Sequence, residues 1–245
     1  MIDHSFLIGK TAIVTGGAGG IGKEICARLA ELGINIAAVD MDAQRLDALT
    51  EKITSMGGNL FTIAGDLTDF DFQDEMLKKV KEHFGSIDIL VNCAGLAHHN
   101  PFTEVTPELF DSIMKVNVRT PYFLIQKAIP YLSESDCATI VNICSSLAHD
   151  GYPDQSVYAA SKHALLGFSK SFANELYQKN IRVHCISPGA VFTDMVALTR
   201  PDLTSDGMTV PQDVADAISY FLHMRKTNSV IDEIRLHRVT KSPHF

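Results

Sequence analysis

Apolar and polar positions follow two alternating rhythms along the chain. Short, β-branched apolar runs at Thr11–Thr15, Asn35–Val39, Leu60–Ala64, Ile87–Asn92, Thr139–Cys144, Arg182–Ile186 and Val230–Leu236 predict strands. Between them, helical spacing of apolar residues predicts helices at Gly20–Leu32, Ala43–Met56, Phe72–Phe84, Thr106–Leu132, Ser156–Lys179 and Pro211–Met224. Several strands are apolar almost throughout, as a sheet covered on both faces requires. Strands alternating with helices build right-handed βαβ units. The expected fold is therefore α/β: a doubly wound parallel sheet of about seven strands, with helices on both faces.

Residues at the ends of these elements fix their phase. Thr106-Pro107-Glu108 supplies an N-cap, a proline at the first helical position and an acid in the first turn. Pro211 and Asp213 open the last helix in the same way, and Gly33 and Gly57 follow helical runs where a left-handed residue is expected. The stretch Asp194–Thr209 has no clear period and is long for a connection, so it reads as a substrate loop. With no linker, repeat or charge block to divide it, the chain reads as one domain over 1–245, ending in a tail at 237–245.

Composition removes several function classes. A hydrophobic fraction of 46% excludes a disordered chain, and a formal charge of −8 argues against a general nucleic-acid binder, which gains affinity by neutralising phosphates. At 245 residues the chain buries enough surface to need no disulfide or metal staple. Its cysteines (Cys26, Cys93, Cys137, Cys144, Cys185) form no C-x-x-C pair and resemble neither a disulfide framework nor a zinc site. The first ten residues lack the pattern of a signal peptide, and no apolar run approaches the roughly 18 residues of a membrane span. A cytoplasmic protein without a membrane partner is expected.

Thr15-Gly16-Gly17-Ala18-Gly19-Gly20-Ile21-Gly22 follows the first strand and opens the first helix. Glycines there permit a tight turn, close approach of backbone N–H groups to a pyrophosphate, and close helix–strand packing. The flanking strand and helix give this pattern the context of a Rossmann-type dinucleotide site. Asp40 ends the second strand, where a carboxylate can bind both hydroxyls of the adenosine ribose and repel a 2′-phosphate. Arg45, one turn further on, reads as a residue of a solvated face. NAD is therefore expected over NADP.

Tyr158 and Lys162 stand four residues apart in a helical pattern and so share a face. Tyrosine normally holds its proton at neutral pH, but a neighbouring ammonium and a positive oxidised nicotinamide both favour the phenolate. Such a tyrosine could exchange a proton with a carbinol or carbonyl oxygen while hydride moves.

Together, Gly16-Gly17-Ala18-Gly19-Gly20-Ile21-Gly22, Asn92-Cys93-Ala94-Gly95, Asn117, Ser145, Tyr158-Ala159-Ala160-Ser161-Lys162 and Pro188-Gly189-Ala190-Val191-Phe192-Thr193 resemble the ordered motifs of the short-chain dehydrogenase/reductase family. The resemblance runs from about Lys10 to Leu222. It implies a catalytic set of Asn117, Ser145, Tyr158 and Lys162. Ser145 would hydrogen-bond the substrate oxygen, since Ser146 is one residue short of the family spacing. Tyr158 would be the acid–base, Lys162 would bind the nicotinamide ribose and support Tyr158, and Asn117 would hold a relay water. The cofactor contacts implied are Gly16, Gly19, Gly20, Ile21, Gly22, Asp40, Asp66, Leu67, Asn92, Ala94, Gly95, Pro188, Gly189, Val191 and Thr193, together with Tyr158 and Lys162.

No metal is expected. His98-His99 are adjacent in a loop without obvious further ligands, and His149 to Gln155 read as a polar stretch bordering a substrate pocket. The ending Val230–Leu236 lacks the Gly-Gly turn of the fatty-acid reductase type. It is more similar to a branch of broad-specificity dehydrogenases of small hydroxy acids and ketones, which points away from a 3-oxoacyl-carrier-protein reductase. The expected function is NAD-dependent interconversion of a secondary alcohol and a ketone. Alternatives are that reductase and a non-catalytic NAD-binding sensor, the latter opposed by the intact catalytic set. By family analogy the chain forms a homo-oligomer, a tetramer or dimer, through Thr106–Leu132 and Ser156–Lys179.

Overall fold

A computed structural model of the chain describes residues 4–199, 204 and 206–240. It contains one parallel sheet in the order β3-β2-β1-β4-β5-β6-β7. The strands are β1 (Thr11–Thr15), β2 (Asn35–Asp40), β3 (Leu60–Ala64), β4 (Ile89–Asn92), β5 (Thr139–Ile143), β6 (Arg182–Pro188) and β7 (Glu233–Leu236). The helices are α1 (Gly20–Glu31), α2 (Ala43–Ser55), α3 (Phe70–Phe84), α4 (Pro107–Met114), α5 (Thr120–Leu132), α6 (Ser156–Leu176), α7 (Asp194–Thr199) and α8 (Pro211–His223).

Alternate residues of strands β1 to β6 feed two cores. Ala12 and Val14 of β1 pack with Ile25 and Leu29 of α1, Leu49 of α2 and Phe221 of α8. Ile13 of the same strand faces Met76 and Leu77 of α3, Leu124 of α5 and Leu176 of α6. The sheet is thus covered on both sides, as its apolar strands demand. Chain order reverses direction between β1 and β4, and in such sheets ligands bind outside the carboxyl ends of the strands beside that reversal.

The caps follow the sequence reading. Thr106 accepts from the Leu109 N–H at 3.2 Å, and Asp213 accepts from the Val210 N–H at 3.0 Å. Gly33 and Gly57 both lie at φ +77°. Helix α3 starts two residues before the expected Phe72, because Asp69 caps it by accepting from the Asp71 N–H at 2.9 Å.

Two expectations need correction. The helix expected over Thr106–Leu132 is interrupted by a π turn at Lys115–Arg119 between α4 and α5. Pro121 has no N–H to give to the Asn117 carbonyl four residues back, so a regular α-helical ladder cannot pass this point. The stretch Asp194–Thr209 also is not wholly irregular, since it opens with α7 and returns through a bridge between Val191 and Thr209. Positions 200–203 and 205 of that loop, and 241–245 of the expected tail, lie outside the described residues.

Candidate active site

At the carboxyl ends of β1, β2 and β4 lies a cleft of about 370 Å³. Gly16, Gly19, Gly20, Ile21 and Gly22 form one wall. Gly16 is at φ +62°, and a Cβ there would meet the Ala94 backbone at 2.9 Å. A Cβ on Gly22 would sit 2.0 Å from the Gly16 carbonyl oxygen, so α1 packs against the turn only without one. Gly19, the N-cap of α1, offers no side-chain hydrogen bond, which leaves the first N–H groups of that helix for an anion.

The opposite walls hold Asp40, Asp66 with Leu67, and Ala94 with Gly95. Asp40 accepts from the Ala18 N–H at 3.1 Å through Oδ2 and from the Asp42 N–H at 3.2 Å through Oδ1. Each oxygen retains a lone pair for a further donor. Asp42 caps α2, accepting from the Arg45 N–H at 3.0 Å. Asp66 is held below the usual carboxylate range by the Thr68 N–H it accepts at 2.8 Å. Arg45 is solvated as expected, but it also lines the cleft near Asp40. Thr193 closes the far side, next to Asp194 and Met195 of α7.

Six residues expected as cofactor contacts are not among those lining this cleft: Asn92, Tyr158, Lys162, Pro188, Gly189 and Val191. The Asn92 amide donates to Asn142 Oδ1 at 2.8 Å, and Asn142 in turn donates to Ser169. Pro188, Gly189 and Val191 carry the chain from β6 towards Thr193, with the Gly189 N–H donating to the Leu236 carbonyl at 2.8 Å. Thr15, which had no assigned role, positions the β4 turn because its hydroxyl accepts from the N–H groups of Cys93 and Ala94 at 3.0 and 3.2 Å. Burial pushes the Cys93 thiol up to about 12, so it lines the cleft as a neutral, weakly polar group.

Two of the expected catalytic residues, Asn117 and Lys162, lie against Gly95. A Cβ on Gly95 would lie 3.4 Å from Asn117 Oδ1 and 3.7 Å from Lys162 Nζ. Asn117, in the π turn, accepts from the Leu96 N–H and donates to the Leu96 carbonyl, both at 2.8 Å. It also donates to the Ser161 hydroxyl at 3.0 Å, and that hydroxyl donates to the Tyr158 carbonyl at 2.7 Å. Lys162 is buried, gives one proton to the Ile143 carbonyl at 2.8 Å, and holds its Nζ 5.6 Å from the Tyr158 ring centre. Ser145 lies two residues after β5 and accepts from the Leu147 N–H at 3.2 Å, capping a short 3₁₀ turn.

Of the histidine pair, His98 is buried and His99 exposed, so they do not converge. Among the described residues, one grouping places metal-capable atoms close together: Asp88, Asp136 and Cys137. It lies at the opposite end of the strands, where the Lys10 ammonium is 2.6 Å from Asp136. There Asp88 accepts hydrogen bonds from Thr11, Ser86 and Ser135.

The donor set of the cleft, with uncapped helix N–H groups for a pyrophosphate and a carboxylate at the end of β2, fits a nicotinamide dinucleotide, and a buried lysine beside a tyrosine lies next to Gly95 of its wall. The short chain dehydrogenase family model matches residues 10–204. The chain belongs to the short-chain dehydrogenase/reductase family. Membership makes it an oxidoreductase acting on CH–OH or keto groups.

Among other family members, a 3-oxoacyl-(acyl-carrier-protein) reductase of Thermotoga maritima is 33% identical over 224 residues, spanning 87% of this chain and 90% of its own. A short chain dehydrogenase of Mycobacterium paratuberculosis, solved with NAD, is 26% identical with a TM-score of 0.84, covering 94% of this chain and 97% of its own. A metagenomic short-chain oxidoreductase solved with NADP is 29% identical with a TM-score of 0.82, covering 96% and 99%. The Thermotoga relative is a reductase of the kind that the sequence alone left as an alternative.

Proposed function

We propose that the chain is an NAD-dependent oxidoreductase that interconverts a secondary alcohol and a ketone, with Tyr158 as acid–base. One observation carries this reading: Gly95 of the glycine-walled cleft lies against both Asn117 and Lys162, so a cofactor cleft and a proton-handling group meet. When bound, the nicotinamide supplies or accepts the hydride. Tyr158 takes the hydroxyl proton in oxidation and returns it in reduction. Ser145 donates to the substrate oxygen and orients it. Lys162 brings a positive charge to the side of Tyr158 and keeps protons free for the ribose hydroxyls. Asn117 holds the π turn against Leu96 and, with Lys162, supports a proton relay to water.

Asp40 on the cleft wall favours NAD over NADP, because a 2′-phosphate would meet its charge. The chain works in the cytoplasm, a setting that its free cysteines suit, and among the described residues no helix is long and apolar enough to cross a membrane. It assembles as a homo-oligomer through α4, α5 and α6.

The 33% identity to a 3-oxoacyl-(acyl-carrier-protein) reductase favours a second reading, NADPH-dependent reduction of a 3-oxoacyl thioester. One screen separates the two. Alcohols, hydroxy acids, polyols and sugar alcohols are offered with NAD and with NADP, and acetoacetyl thioesters with NADH and NADPH, following absorbance of the reduced cofactor. Turnover of a small alcohol that is faster with NAD supports the first reading. Thioester reduction faster with NADPH replaces it with the second.

A further inference from the structure

Helix α6 carries Tyr158 in its first turn, yet its N-cap residue, Gln155, gives that turn no side-chain hydrogen bond. The Tyr158 N–H donates instead to His98 Nε2, 3.4 Å away and 60 residues earlier in the chain. A helix leaves its first N–H groups without internal partners. Here the one that belongs to the candidate acid–base is met by an imidazole from the loop after β4. His98 is 4% exposed, and to accept at Nε2 the ring must be neutral with its proton on Nδ1.

The surroundings keep the ring neutral. Burial pushes the His98 imidazole below its usual range and nearby His99 adds to this, while the Asn100 side chain opposes both. The loop is fastened on either side of the ring. Leu96 is bonded twice to Asn117, and the Asn100 N–H donates to the Asp154 carbonyl at 2.9 Å. Asp154 sits just before α6 at φ +63°.

We propose that His98 is a positioning residue for the reaction, capping α6 from outside the helix and setting where that helix presents Tyr158. The proposal rests on reading Tyr158 as the acid–base. An acid–base moved by about 1 Å can lose up to about a hundredfold in rate, while cofactor contacts made by other loops stay in place. The effect of losing the cap therefore falls on kcat rather than on the KM for the cofactor.

Three variants test it. His98→Leu removes the acceptor, His98→Asn keeps an amide too short to reach, and His98→Gln carries an oxygen near the position of Nε2. The first readout is hydrogen exchange at the Tyr158 amide without substrate, resolved by fragmentation and mass spectrometry. Exchange is expected about tenfold faster in the Leu and Asn variants and close to wild type in Gln, the size of one lost hydrogen bond. The second readout is steady-state kinetics. There kcat is expected to fall about tenfold in Leu and Asn with the cofactor KM within about twofold, and Gln to recover to within about threefold of wild type.

Unchanged Tyr158 exchange in Leu and Asn overturns the proposal, as does a Gln variant as slow as Leu. Should His98→Leu fail to fold, the Asn and Gln pair decides the matter. A wild type that turns over no alcohol, ketone or thioester overturns the oxidoreductase reading instead. The exchange data, which need no substrate, tell that failure from a missing cap.

Discussion

Lys162 has three protons and commits one of them, to the Ile143 carbonyl at the end of β5. That bond holds the ammonium against the sheet, while Ser161 ties the Tyr158 carbonyl to Asn117. Tyr158 is thus held through its backbone, and among the described residues its hydroxyl makes no hydrogen bond that would compete with a substrate. Tyr158→Phe should cut turnover by about 10²- to 10⁴-fold, the range for a positioned acid–base, with NADH binding by fluorescence titration unchanged. A variant that keeps most of its turnover would exclude Tyr158 from proton transfer. Asp40→Ser should lower the NAD to NADP ratio of kcat/KM by at least about tenfold, since Arg45 already lines the same wall. An unchanged ratio would show that Asp40 is not what selects the cofactor.

At this scale, legibility in the sequence depended on range. Tyr158 and Lys162 are four residues apart on one helix, and the glycines of the turn are contiguous, so local geometry is enough to read them. The His98 bond to Tyr158, the Thr15 bond to the β4 turn and the pairing of Asn92 with Asn142 join residues 50 or more positions apart. No spacing rule reports such pairs. Asn92 shows the consequence, because its motif could not announce the bond that its side chain makes to Asn142 of the neighbouring strand.

Among the elements, strand and helix order could be read directly, since apolar β-branched runs of strand length allow few other outcomes. The π turn escaped because the apolar period runs on smoothly from Thr106 to Leu132. Pro121 was the available signal, a residue that cannot complete the helical ladder at Asn117. A second element-scale feature escaped periodicity for another reason: β6 buries a histidine. His184 stacks on Phe221 of α8 with ring centres 4.4 Å apart, bonds through Nδ1 to the Ile231 carbonyl, and leaves Nε2 without a protein partner among the described residues.

Burial pushes His184 down to about 4, so the fold favours the neutral ring. Above the ordinary histidine range both folded and unfolded chains are neutral here, and stability does not depend on this group. As pH falls from about 6.5 towards 4, the unfolded chain takes up the proton and the folded chain does not, so stability drops by on the order of 3 kcal/mol. Urea denaturation at pH 7 and pH 5 should show about 2 kcal/mol of this loss in the wild type. His184→Asn, whatever its stability at pH 7, should show a correspondingly smaller difference between the two conditions. An equal difference in both proteins would assign the acid loss to other groups.

For the whole molecule, the charge of −8 and the exposed apolar surface pull in opposite directions. Uniform negative charge keeps copies apart at long range, so association requires a local patch whose burial outweighs the repulsion. Such a patch lies along α4 and α6, where Phe102, Val105, Pro107 and Phe110 form a groove with Val157 and Ala160. Phe102 is 76% exposed, Phe110 45% and, further along on α5, Tyr122 37%. Large aromatics left this open on helices that flank the candidate site fit an interface between copies, where aromatic anchors carry most of the energy. Light scattering should give a mass about four times 26.8 kDa, or twice that mass if one interface alone forms. Because the repulsion is screened, raising the salt should strengthen the assembly, whereas an interface built on ion pairs would weaken. Phe110→Glu adds both a charge and a gap at the groove, and should shift the population towards single chains at low salt. A single-chain mass for the wild type at every salt concentration would remove the oligomer from the proposal and leave the groove as exposed surface.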